Sequence, residues 1–196
     1  MIYNPILVVT GEPNSIFLEI FFKVIKKNKI INPIILISSK KLLSMQMKKL
    51  KFKKKIKLLN PLTLDEYKLD NKSINLINVE YAPSKAFEEI SIKSNKFIEN
   101  SFKLAFKIIK KYKIFKFING PISKKSFLKK KFLGITEYIS QKFDAKNTCM
   151  LIYNKKLSVC PITTHLPIKL VTKKISKKII TNKVSLISNF YKQNFG

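Results

Sequence analysis

An α/β protein with a mostly parallel sheet is the fold class this sequence predicts. Three observations lead there. Short apolar runs rich in β-branched residues recur along the 196 residues, segments of helical period lie between most of them, and Gly11 and Gly120 each fall directly after such a run. Alternating strand and helix patterns are what parallel strands joined by crossover helices require.

Strands are expected at Ile6 to Thr10, Ile34 to Ser38, Ile74 to Glu80, Ile114 to Asn119, Thr148 to Tyr153 and Leu157 to Thr163, where four to eight apolar or β-branched residues sit between turn signals. The first helix is expected over Ser15 to Lys27, with Ile16, Ile20, Phe21 and Val24 at helical spacing, Ser15 as N-cap and Glu19 in the early turns. The longest covers Lys93 to Tyr112, with Phe97, Ser101, Leu104, Ala105, Ile108 and Ile109 along one face. Ile175, Ile179, Ile180, Val184, Ile187 and Tyr191 mark a final helix that runs almost to the last residue. Lys48 to Lys72 is the most polar stretch and reads as an irregular surface connection. No repeat and no Ser/Gly-rich linker gives an internal boundary.

Composition narrows the class further. With 45% apolar residues the chain can bury one sizeable core. Its longest apolar runs, such as Ile6 to Val9, fall far short of the ~20 residues that cross a bilayer. The amino terminus has no signal-peptide pattern, so a cytoplasmic address is expected. Cys149 and Cys160 are too few for a disulfide framework and read as buried small apolar residues.

The net charge of +29 resembles the footprint of a polyanion binder. Yet all 40 basic residues are Lys and none is Arg, the residue that grips phosphate and guanine edges with a bidentate fork. Abundant Ile, Asn and Phe accompany the Lys excess, the pattern of drift in an A+T-rich genome. Drift is the preferred reading, and a Lys-rich, non-enzymatic polyanion-binding α/β domain is the alternative.

The chemistry-bearing candidates cluster after the predicted strands. In a parallel sheet, ligands bind outside the carboxyl ends of the strands, where backbone turns sharply and approaches the ligand. Gly11-Glu12-Pro13 and Gly120-Pro121 stand there, although either is also an ordinary tight turn. Neither has the glycines of a dinucleotide fingerprint or the Gly-Lys-Ser/Thr of a P-loop. His165, the sole histidine, follows the last run in Thr163-Thr164-His165-Leu166-Pro167. Alone it is either a structural or surface residue or one ligand of a metal site that needs three or more. Glu137, in Gly134-Ile135-Thr136-Glu137-Tyr138, reads as a helix-start carboxylate favoured by the helix dipole.

Taken together and in order, these segments resemble a known family. Thr10-Gly11-Glu12-Pro13 with Glu19, Asn119-Gly120-Pro121-Ile122-Ser123-Lys124, Gly134-Ile135-Thr136-Glu137-Tyr138 and Thr163-Thr164-His165-Leu166-Pro167 are similar to successive signature segments of the 4-hydroxythreonine-4-phosphate dehydrogenases. That resemblance implies the amino-terminal part of a two-domain enzyme with α/β/α layers, akin to isocitrate and isopropylmalate dehydrogenases. It implies a homodimer, NAD or NADP as cofactor, and a divalent metal (Zn, Mg or Co) held by three histidines that polarises the substrate alcohol. The implied substrate is a phosphorylated hydroxy-amino acid, 4-phosphooxy-threonine, which is oxidised and then loses carbon dioxide. His165 matches the first metal histidine and Thr136 a substrate-binding threonine. Gly11, Glu12, Gly120, Lys124 and Glu137 are the candidate loop residues, and Gly11, Gly120, Thr136 and His165 are expected to converge on one cleft.

Two segments depart from the family pattern. Ile135 stands where the family has a substrate-contacting histidine, and it can neither donate a hydrogen bond nor carry charge. Asn14, Ser15, Ile16, Phe17 and Leu18 replace an Ala-Gly-Ile-Gly-Pro loop. The family's other metal histidines and its nicotinamide elements have no counterpart here, so the chain reads as a truncated, split or degenerate form, completed by a second copy or a complementary carboxyl-terminal polypeptide. If the charge is drift, the purified chain will bind DNA or RNA only weakly at physiological salt, and filter binding across a salt series will show no steep slope.

Overall fold

The computed structural model describes residues 4–128, 131–145 and 147–195. The chain forms two compact units, Met1–Lys131 and Phe132–Gly196. In the first unit, β1 (Ile6–Val9), β2 (Ile34–Ser38), β3 (Ile56–Leu58), β4 (Ile74–Asn78) and β5 (Lys116–Asn119) make one sheet in the order β3-β4-β2-β1-β5. Every pairing is parallel. Central β1, β2 and β4 are almost wholly buried, which is why they read as unbroken apolar runs, whereas edge strand β5 alternates exposed and half-buried residues.

Helices α1 (Phe17–Lys27) and α2 (Lys40–Lys49) cover one face. Their core joins Leu18, Phe21, Phe22, Leu42, Leu43 and Met47 to Val8, Leu36, Ile74 and Leu76. Helix α3 (Asn95–Tyr112) packs against β1 and β2 and buries Phe97, Ile98, Phe102, Ala105, Phe106 and Ile108. Phe102 is fully buried and meets Phe106, Phe117 and Phe127 at centroid distances of 5.8, 6.3 and 6.2 Å. Lys113 in the left-handed conformation ends the helix, with buried Ile114 leading toward β5.

Several expectations need correction. Helix α1 begins at Phe17 with Ile16 at its N-cap, not at Ser15, whose hydroxyl instead donates to the Glu12 carbonyl at 2.7 Å and accepts weakly from Phe17 N at 3.3 Å. Its buried stripe is Leu18, Phe21 and Phe22, with Ile16, Ile20 and Val24 exposed. The larger phenylalanine rings win the core face and rotate the smaller aliphatics to its flank. The Lys48 to Lys72 stretch is not wholly irregular, since Ile56 to Leu58 pairs with β4 as an edge strand. Three residues between lysines were too short for the alternation rule to register.

In the second unit, α4 (Ile135–Lys142), α5 (Ile168–Lys174) and α6 (Lys177–Phe195) are helical. The strands expected at Thr148 to Tyr153 and Leu157 to Thr163 are reduced to one antiparallel bridge, Ile152 with Val159. An isolated two-stranded ribbon is marginal without a sheet to join, and Ile152, Tyr153, Leu157 and Val159 are all exposed. Cys149 and Cys160, expected to be buried, are half-buried and free. Burial pushes the Cys149 thiol up, and neighbouring Cys160 adds to the effect.

Phe102→Ala empties the centre of the α3 layer. Unit one will lose about 3–5 kcal/mol of stability, measured as a lowered denaturation midpoint in urea.

Candidate functional site

The carboxyl ends of β1 and β5 meet where the sequence placed its glycine turns. Gly11 holds φ +72°, a left-handed conformation that other residues adopt only at a cost. A Cβ there would come within 2.8 Å of the Gly120 carbonyl oxygen, and a Cβ on Gly120 would press on the Thr10 carbonyl and stand 2.9 Å from the Phe17 ring. Both positions therefore exclude any side chain. Glu12 N donates to Pro121 O at 2.8 Å, and Gly120 N donates to Val9 O at 2.8 Å, lacing the two turns together.

Glu12 faces inward. It is 1% exposed, with Oε1 accepting from Asn14 N at 3.2 Å and Oε2 from Ser94 Oγ at 2.9 Å. A buried carboxylate with two donors positions its loop rather than waiting for a substrate. Around it, Asn14 Oδ1 accepts from Glu88 N at 3.1 Å, and Gln46 Nε2 donates to Pro13 O at 2.9 Å and Ala86 O at 2.8 Å. Burial raises the Tyr81 hydroxyl pKa, against a lowering hydrogen bond from Asn14. Sequence reasoning missed Gln46, Ser94 and Asn14. The available signal was Gln46 itself, a polar residue on the buried face of α2 beside Leu42, Leu43 and Met47. Lys124 is exposed at the start of a π-helical turn, Lys124–Leu128.

In the second unit the structure brings Gly134, Glu137 and His165 together. From the point where a Gly134 Cβ would lie, Glu137 Oε2 is 3.0 Å away and His165 Nε2 is 3.9 Å away. His165 sits at φ +57° in the turn before α5, with its side chain exposed. Glu137 lies in the first turn of α4, as expected, and its Oε2 is buried with no hydrogen-bond partner among the described residues. Ile135 opens α4, and Thr136 is half-buried on its first turn, with its carbonyl accepting from Ser140 Oγ at 2.8 Å. No group of three or more His, Cys, Asp or Glu able to hold a metal occurs among the described residues. His165 and Glu137 supply an imidazole and an orphaned carboxylate oxygen, two donors where a protein metal site takes three or four. The donor set does not fit a complete site. No described helix is long and apolar enough to cross a membrane.

Comparison with known proteins agrees with this architecture. The chain is 31% identical over 192 residues to a 4-hydroxythreonine-4-phosphate dehydrogenase of Sulfurihydrogenibium sp., covering 96% of this chain and 58% of that protein. A 62-residue stretch is 36% identical to the enzyme of the same name from Aquifex aeolicus, covering 32% of this chain and 19% of that protein. The crystal structure of 4-hydroxythreonine-4-phosphate dehydrogenase from Klebsiella pneumoniae superimposes with a TM-score of 0.81 at 15% identity, covering 99% of this chain and 60% of that one. The chain thus spans a little under three fifths of the length of the curated relative that it follows throughout. The family described as pyridoxal phosphate biosynthetic protein PdxA matches residues 29–196, and with that match extending over most of the sequence, the chain belongs to the PdxA family.

Proposed function

We propose that this chain is the amino-terminal portion of a 4-hydroxythreonine-4-phosphate dehydrogenase, acting on a phosphorylated hydroxy-amino acid in pyridoxal phosphate synthesis. The reading rests on one observation above others: the likeness to the Sulfurihydrogenibium enzyme runs through 96% of the chain and so takes in all four signature segments. In the complete enzyme C3 of 4-phosphooxy-threonine would give up its hydrogen as hydride to NAD or NADP while the 3-hydroxyl releases its proton to solvent, and the resulting β-keto acid would lose carbon dioxide. The family implies a divalent ion, Zn, Mg or Co, that would polarise the alcohol oxygen; His165 would be a ligand to it, and the described residues do not complete its site by themselves.

The chain's own residues have narrower tasks. Thr136 offers a hydroxyl to substrate from the first turn of α4, and exposed Lys124 offers a cation to an anionic substrate group. Ile135 supplies neither charge nor hydrogen bond, so one polar contact to substrate is lost. Gly11 and Gly120 let the turns after β1 and β5 pack backbone on backbone at the strand termini. Helices α5 and α6 bury no residue, and Ile179, Ile180, Val184, Phe190 and Phe195 are exposed along α6. Such a surface is covered by a second copy or by a complementary carboxyl-terminal polypeptide.

Hydride transfer needs alcohol and nicotinamide aligned at about 3–3.5 Å, an alignment worth on the order of 7–11 kcal/mol of barrier lowering. This chain alone, assayed with 4-phosphooxy-threonine, NAD and a divalent metal, will give no NADH above background. Activity appearing only after a downstream polypeptide is added will mark a split enzyme, and His165→Ala will then abolish it. Robust turnover by the isolated chain overturns the reading.

A further inference from the structure

Two thiols stand together in the second unit, and neither its helices nor the site beside Gly134 gives them a task. Cys149 and Cys160 are free and half-buried. They flank the antiparallel bridge, in which Ile152 N donates to Val159 O at 2.8 Å and Val159 N to Ile152 O at 2.9 Å. Counting outward from that pair, Cys160 comes opposite Leu151, and the alternation of extended chain puts Cys149 on the same face, diagonal to Cys160. The side chains do meet, since the two thiols share a hydrogen bond. Burial first, then the neighbouring sulfur, raises the Cys149 pKa, and Lys183 of α6 acts the other way. The Cys149 thiolate is therefore scarce, and its exchange chemistry is slow.

The ribbon between these cysteines docks on α6 through the Tyr191 hydroxyl, which donates to Ser158 Oγ at 2.9 Å, and through stacking of Tyr153 on Phe195 at 5.5 Å between ring centroids. A single bridge closes it, so a covalent link beside that bridge would remove much of its freedom. Cys160 is followed by Pro161-Ile162-Thr163-Thr164 and then His165, which places the imidazole at the end of the segment such a link would hold. We propose that Cys149 and Cys160 are a reversible disulfide site, closed by exchange with a small-molecule disulfide such as oxidised glutathione, that fixes the ribbon and with it the turn carrying His165. One thiolate attacks the small disulfide, forming a mixed disulfide and expelling one glutathione thiolate. The second attacks the protein sulfur of that mixed disulfide, closing the Cys149 to Cys160 bond and expelling the other glutathione thiolate. Two cysteines are oxidised, one glutathione disulfide is reduced to two thiols, and the two protons pass from the cysteines to the released thiolates.

The test needs no substrate and so stands apart from the dehydrogenase reading. The full-length chain is incubated with oxidised glutathione, its remaining thiols are blocked, and it is digested and weighed. Trypsin cuts after Lys146, Lys155, Lys156 and Lys169, so the bond joins peptides 147–155 and 157–169, which dithiothreitol separates. The intact monomer is expected to be lighter by two hydrogens and to retain no glutathione. Against glutathione buffers, the native chain is expected to favour the disulfide about ten- to a hundredfold more than the same chain in urea, the advantage of a loop whose ends the fold already holds together. Cys149→Ser and Cys160→Ser are each expected to stop at a glutathione adduct on the remaining cysteine. His165 is the sole histidine, so its imidazole proton signals are read directly. They are expected to shift on oxidation, to return with dithiothreitol, and to stay in place in the doubly substituted Cys149→Ser, Cys160→Ser chain. No reaction, glutathione retained on both sulfurs, disulfide-linked dimers in place of the internal bond, equal oxidation in native buffer and in urea, or an unmoved His165 signal overturns the proposal.

Discussion

The mutual approach of Gly11 and Gly120 is the constraint on which the first unit depends. A left-handed Gly11 and a Gly120 with no room for a Cβ let the backbones following β1 and β5 touch, and the Glu12 N to Pro121 O bond closes the contact. Strand β5 lies at one edge of the sheet, where its parallel pairing with β1, this contact and the Phe102 to Phe117 packing behind it hold it in place. The same geometry turns Glu12 inward onto Ser94, tying the turn to the start of α3. A bulkier residue at either glycine would part the strands and expose that carboxylate together.

Side chains add to the glycine contact in holding the turn after β1: Asn14 Oδ1 accepts from Glu88 N, and Gln46 Nε2 donates to Pro13 O and Ala86 O. Phe17 fills space beside Gly120 that smaller residues would leave open. Polar groups of the turn are engaged in holding it, and Lys124 is the exposed cation of the segment that follows Gly120.

The second unit shows the opposite condition. His165 and Glu137 approach a common point beside Gly134, and Glu137 Oε2 there is buried without a hydrogen-bond partner among the described residues. Helices α5 and α6 bury none of their side chains. Both features occur in a chain that spans 58% of the length of its curated relative.

How far this was legible follows from the range of each signal. The identity of β1, β2, β4 and α3 was readable because these strands are buried on both faces and must be apolar throughout, and because α3 repeats its buried residues for about three turns; α2, whose buried stripe is interrupted by Gln46, was not. The glycine turns and the order of the motifs were readable for the same local reason. The buried face of α1, the strand hidden between lysines at Ile56 to Leu58, and the collapse of two expected strands into one bridge were not, since each depends on which neighbour is present to cover an apolar residue. Whether Glu12 points at a ligand or at Ser94 is likewise invisible along the chain, because the partner lies 82 residues away. By itself the sequence determined the α/β class, the family and the positions of the turns, all encoded by local period and motif. Only the tertiary structure decided which polar groups are already satisfied and which, like Asn75 Oδ1 and Glu137 Oε2, are left wanting a partner, because hydrogen-bond satisfaction is set by residues distant in sequence and adjacent in space.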